Sequence, residues 1–96
     1  MNTQSQAVVE DLDVVRFAGT RADGASEIIA NKRFVDSIVQ RLSHDMVPAR
    51  EETQNDGSAP YAVVVTSSFA DSRRVKESLR AWMLENRVGD LASLRR

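Results

Sequence analysis

The spacing of apolar positions changes along the chain, and each change marks an element. Leu12-Asp13-Val14-Val15-Arg16-Phe17-Ala18 has the β-branched and aromatic content of a strand. Gly19 to Gly24 is turn-rich, and Asp23-Gly24 is a hairpin signal when extended segments flank it. Ala25 to Ala30 admits two readings: Ser26 caps a helix that runs straight on, or Glu27–Ala30 is a second strand and Asn31 caps the helix. From Val35 the spacing is helical, with Val35, Ile38, Val39, Leu42 and Met46 at i, i+3, i+4, i+7 and i+11. Running that helix backwards at about 100° per residue puts Ile29 on the polar side beside Asp36 and Gln40, which favours the strand.

Val47 to Pro60 is rich in polar and turn residues and is expected to be a mobile loop without core residues. Tyr61-Ala-Val-Val-Val-Thr66 is the most apolar run, and its valine triplet predicts a strand well inside the sheet. Ser67 to Asp71 supplies N-cap candidates, with Ser68-x-x-Asp71 spaced as a capping box with Asp in place of Glu or Gln, and a helix is predicted to run on to about Val88, before Gly89. Asp90 to Arg96 can add a last short turn. The pattern is β-(β)-α-β-α: a small α/β or α+β domain over 11–96, following a flexible 1–10, with two main helices on a single-layer sheet of two to three strands.

Composition narrows the setting. With 96 residues there is room for one core, and 42% hydrophobic against 28% charged residues is globular rather than disordered. Five aromatics leave that core to Val, Leu, Ile and Ala, a thin supply for a monomer of this size. A net charge of −1 provides no global field for nucleic acid or an acidic membrane. The absence of cysteine removes disulfides, thiol nucleophiles and thiolate metal sites. Met1–Gln6 lacks the basic and apolar regions of a signal peptide, and no apolar run is long enough to span a membrane. A cytoplasmic protein without membrane contact is expected, and eleven arginines against two lysines suggest a bacterial or phage genome.

Few residues carry candidate chemistry. His44 is the single histidine, near a helix C-terminus where the dipole favours a cation. The carboxylates Glu10-Asp11-Asp13 and Glu51-Glu52 with Asp56 lack the spacing of a calcium loop. No metal, no cofactor and no catalytic set is expected. Ser67 and Ser68, between a strand and a helix, with Arg73, Arg74 and Arg80 beyond them, are the candidate contacts for an anion or nucleic acid. No glycine is present there to let a phosphate approach the backbone.

The last helix is the most informative stretch. Val75, Leu79, Trp82 and Met83 form an inward stripe, while Ala81, Leu84 and Val88, continued by Leu91 and Leu94, lie on the opposite side. A single small domain does not usually bury a helix on both sides. Either this second side is a partner or oligomer interface, or the chain after Gly89 folds back over it. The sequence therefore points to a small non-catalytic protein-binding module, an adaptor, inhibitor or accessory protein, that forms a homodimer through its C-terminal helix. The alternative is a nucleic-acid-binding regulator using the arginines of the same helix.

Overall fold

A computed structural model of the chain describes residues 13–52 and 60–95. Strand β1 (Val15–Thr20) turns back into β2 (Ser26–Asn31), and helix α1 (Lys32–His44) follows. Next come β3 (Ala49–Glu52), β4 (Tyr61–Thr66), helix α2 (Ser72–Asn86) and a 3-10 turn at Leu91–Arg95. The strands form one sheet in the order β1-β2-β4-β3, antiparallel throughout. The class is α+β, and the chain order is ββαββα rather than β-(β)-α-β-α. The unforeseen strand is β3, inside the segment expected to be a loop. Its Ala-Arg-Glu-Glu sequence carries no apolar alternation; the ladder to β4 holds it extended, with Arg50 opposite Val65 and Glu52 opposite Val63. Val47, assigned to the same loop, is fully buried in the core. The N-terminal segment 1–10 and the remainder of the expected loop, 53–59, lie outside the described residues.

The favoured strand for Glu27–Ala30 is present as β2, and β4 is interior, lying between β2 and β3. Side chains alternate along each strand. Val15, Phe17, Ile28, Ala30, Ala62 and Val64 face the helices and enter one core with Val35, Ile38, Leu42, Val75, Leu79, Trp82 and Met83. Trp82 Nε1–H donates to Ser37 Oγ at 2.8 Å, and the ring meets Phe34 edge-on at 5.3 Å between centroids. Ile29, Val63 and Val65, in alternate register, face away from both helices. That second face is crossed by Arg21, whose guanidinium pairs with Glu27 on β2 at 2.6 Å and Glu52 on β3 at 2.7 Å. Both carboxylates raise the Arg21 pKa through hydrogen bonds, Glu52 the more strongly. Spanning from β2 to β3, Arg21 passes over β4, where Val65 is buried on the face that no helix among the described residues covers.

The element ends show what the sequence patterns meant. Asn31 occupies the N-cap position of α1, but its side chain accepts from the Val14 N–H instead of capping, and the Lys32 N–H donates to Pro60 O at 3.0 Å. Of the N-cap candidates Ser67–Asp71 it is Asp71 that caps α2, its side chain accepting from the Arg73 N–H, and Ser68 does not form the capping box. The helix ends earlier than expected, at Asn86, with Arg87 in the left-handed conformation and both the Arg87 and Val88 N–H groups donating to Met83 O. α1 closes in the same manner: Met46, at φ 67°, donates to Ser43 O, while Val47 donates to Leu42 O and buries its side chain in the core with Leu42.

The C-terminal 3-10 turn seals one sheet edge. The Asp90 N–H donates to Val15 O, and Ser93 Oγ accepts from the Phe17 N–H, so two outward groups of β1 are satisfied. At the opposite edge β3 is short and charged, which discourages strand addition.

The two helices are tied at the C-terminus of α1. Arg41 donates to Asp45 and to Glu85, and Ser78 Oγ–H donates to Asp45 at 2.7 Å. The Ser78 bond first, then His44 and Arg41, lowers the Asp45 pKa to about 2. Because the folded value lies below the ordinary 3.8, this contribution to stability is complete above about pH 4 and is lost as pH falls toward 2. Urea titrations across that range should show Asp45→Asn with a shallower acid loss of stability than the wild type; parallel curves would show that Asp45 is not coupled to folding.

Candidate functional site

The residues expected to form an interface separate into two groups. Val88 and Leu94 are half-buried against the core, because the 3-10 turn folds back onto α2 and β1. Leu84 and Leu91 remain 54% and 39% exposed and line one shallow groove with Met83, Arg87, Val88 and Gly89. Ala81 is half-buried on a different groove, beside Met46 and Arg74. Fold-back thus covers Val88 and leaves Leu84 open.

The candidate anion residues are engaged differently from a phosphate site. Ser67 Oγ accepts from the Phe69 N–H at 3.1 Å and Ser67 O from the Ala70 N–H, so the hydroxyl closes a turn. Ser68 is exposed, and its carbonyl packs against Gly24, where an added Cβ would stand 3.0 Å from that oxygen. Arg73, Arg74 and Arg80 are exposed, and their guanidiniums make no ion pair among the described residues. His44 is exposed, and its Nδ1 lies 3.2 Å from Asp45 Oδ1. Glu52 is committed to Arg21 and Asp13 to Arg33, and among the described residues no three metal-binding side chains converge.

Sequence reasoning missed the most exposed apolar residues. Phe69 is 95% exposed on the β4–α2 connection, and Met46 is 78% exposed at the end of α1. Their loops are joined by the Ser67 N–H donating to Pro48 O at 2.9 Å, which places both at one end of the molecule. Helical spacing assigned Met46 to the core stripe, yet α1 stops two residues earlier and the left-handed turn swings its side chain outward. For Phe69 the available signal was its setting in Ser-Ser-Phe-Ala-Asp, a turn composition in which an aromatic has no periodic partner.

No family model, curated protein or solved structure matches this chain. No helix among the described residues is long and apolar enough to cross a membrane.

Met46 carries a side chain at a backbone position that glycine fills without steric cost. Met46→Gly should therefore keep or raise stability, by up to about 1 kcal/mol, measured as the urea midpoint. A clear loss would mean that the methionine side chain contributes to packing.

Proposed function

We propose that this domain is a non-catalytic protein-binding module, an adaptor, inhibitor or accessory protein, that self-associates through Leu84 and Leu91. The observation that supports it is that these two leucines stay exposed around one groove even after the C-terminal turn has folded back. Covering a Leu side chain fully is worth roughly 1.5–3 kcal/mol, so two leucines from each of two copies supply at most about 6–12 kcal/mol. Association costs about 4–15 kcal/mol, which makes the dimer weak, in the micromolar range or above. A symmetric contact would use the same patch on both copies. The nucleic-acid alternative rests on the exposed Arg73, Arg74 and Arg80, but Glu77 and Glu85 interleave with them on α2.

Sedimentation velocity over a concentration series tests this. The wild type should show a reversible monomer–dimer equilibrium at concentrations up to about 1 mM, and Leu84→Glu with Leu91→Glu should abolish it without loss of fold. Val88→Glu is unsuitable, because Val88 packs against the core. A wild type that stays monomeric throughout contradicts the self-association.

A further inference from the structure

The C-terminal turn stands where a further strand of the sheet would stand. Val15 and Phe17 turn their side chains into the core, and their outward backbone groups reach the turn: the Asp90 N–H donates to Val15 O at 2.8 Å, and the Phe17 N–H to Ser93 Oγ at 2.9 Å. A residue of a parallel strand placed beside Arg16 would make the same two bonds, its N–H to the carbonyl before Arg16 and its C=O to the N–H after it. Asp90 and Ser93 divide that task. The chain from Asp90 to Ser93, closed by the Ser93 N–H donating to Asp90 O, runs in the direction of β1. Three steps of 3-10 rise, at about 2.0 Å each, match two strand residues at about 3.3 Å each.

Few groups hold the turn in place. Ser93 is buried and donates its Oγ–H to Asp90 O at 2.7 Å, and Leu94 is half-buried against the core, while Leu91 stays exposed. The turn hangs from α2 through Arg87, in the left-handed conformation, and Gly89, at φ 106°, where an added Cβ would stand 2.7 Å from Met83 Cγ. None of these bonds belongs to the α2 helix or to the β1–β2 ladder, so release of the turn leaves both intact. Release uncovers the Val15 C=O and the Phe17 N–H on a strand of β-prone residues, and an unpaired edge of that kind is a template for an extended backbone.

We propose that the C-terminal turn holds the β1 edge closed in the place of a strand, and that an extended segment of another protein displaces it and pairs with β1 in parallel. The N–H and C=O of one residue of that segment replace Asp90 and Ser93 opposite Arg16. The residues on either side of it point to the helix side of the sheet, which Leu94 vacates and where apolar side chains fit. The β1 strand of a second copy is the wrong occupant, since two such strands related by a two-fold axis pair antiparallel. Because the turn carries Leu91, this contact and the leucine groove are alternatives on one chain.

NMR titration of the full-length protein with the peptide Ac-Lys-Val-Thr-Val-Thr-Val-Lys-NH2, whose valines alternate as the helix side requires, tests the proposal. On binding, the amide resonances of the Asp90–Arg95 segment should move to random-coil positions, while the Phe17 amide keeps its protection from exchange. Ser93→Ala leaves the Phe17 N–H unpaired only while the turn is docked, so it should bind the peptide about fivefold to tenfold more tightly than the wild type. Leu94→Ala, which loosens the turn through packing instead, should act in the same direction, and circular dichroism should be unchanged in both. The peptide N-methylated at its threonines, whose backbone groups face β1, should not bind. Leu84→Glu should bind the peptide no more weakly than the wild type whether or not the protein dimerises, so failure of the self-association and failure of this contact are read separately. No binding by Ser93→Ala at about 1 mM peptide, equal affinity of the wild type and both variants, or binding of the N-methylated peptide would overturn the proposal. Shifts centred on β3 with the turn still docked, or a Ser93→Ala protein that pairs β1 with β1 of a second copy instead, would overturn it too.

Discussion

The antiparallel pairing of β2 with β4 is the constraint on which the rest of the structure depends. It sets Ile28 opposite Val64 and Ala30 opposite Ala62, so the buried residues of two ββα units point to the same side. Both helices then pack on one face, α1 over β2, β3 and β4, and α2 against α1 and β1. Each strand pair extends outward from this seam, giving the order β1-β2-β4-β3. A one-residue slip would carry Ile29 and Val63 into the core and Ile28 and Val64 out of it. The seam thus decides which residues are available to a partner.

One-sided packing has two consequences for function. Among the described residues no helix packs on the other face of the sheet, and Arg21 bridges Glu27 and Glu52 across it. The apolar side chains that stay exposed lie at the periphery, on the C-terminal part of α2 and its following turn, and on the loops where α1 ends and α2 begins. Among the described residues, neither place brings together a nucleophile, a base and an orienting group. Both sheet edges are protected: the C-terminal turn bonds to β1, and charge guards β3.

Much of this was legible in the sequence. Hydrophobic period placed β1, α1, β4 and the core stripe of α2, because in each case burial on one side writes a repeating pattern. β3 wrote none, since Ala49–Glu52 is an edge strand whose conformation comes from the ladder with β4. The second ββα unit was hidden for the same reason: without its first strand it has the pattern of a loop followed by βα. The candidate surface on α2 was legible as an excess of apolar positions, but wheel geometry could not tell Leu84, which stays open, from Val88, which the returning chain covers. Phe69 and Met46 were illegible as surface residues because their exposure is set by turn geometry, Ser67 closing one loop and the left-handed Met46 closing the other.

The most direct test of the account is amide hydrogen exchange followed as a function of protein concentration. If the leucine surface mediates self-association, protection should increase with concentration in the segment from Leu84 to Arg95 while the Ser67–Asp71 loop keeps its monomer rate. Exchange that is independent of concentration across Leu84–Arg95 at about millimolar protein, or protection that grows instead at Phe69, would contradict it.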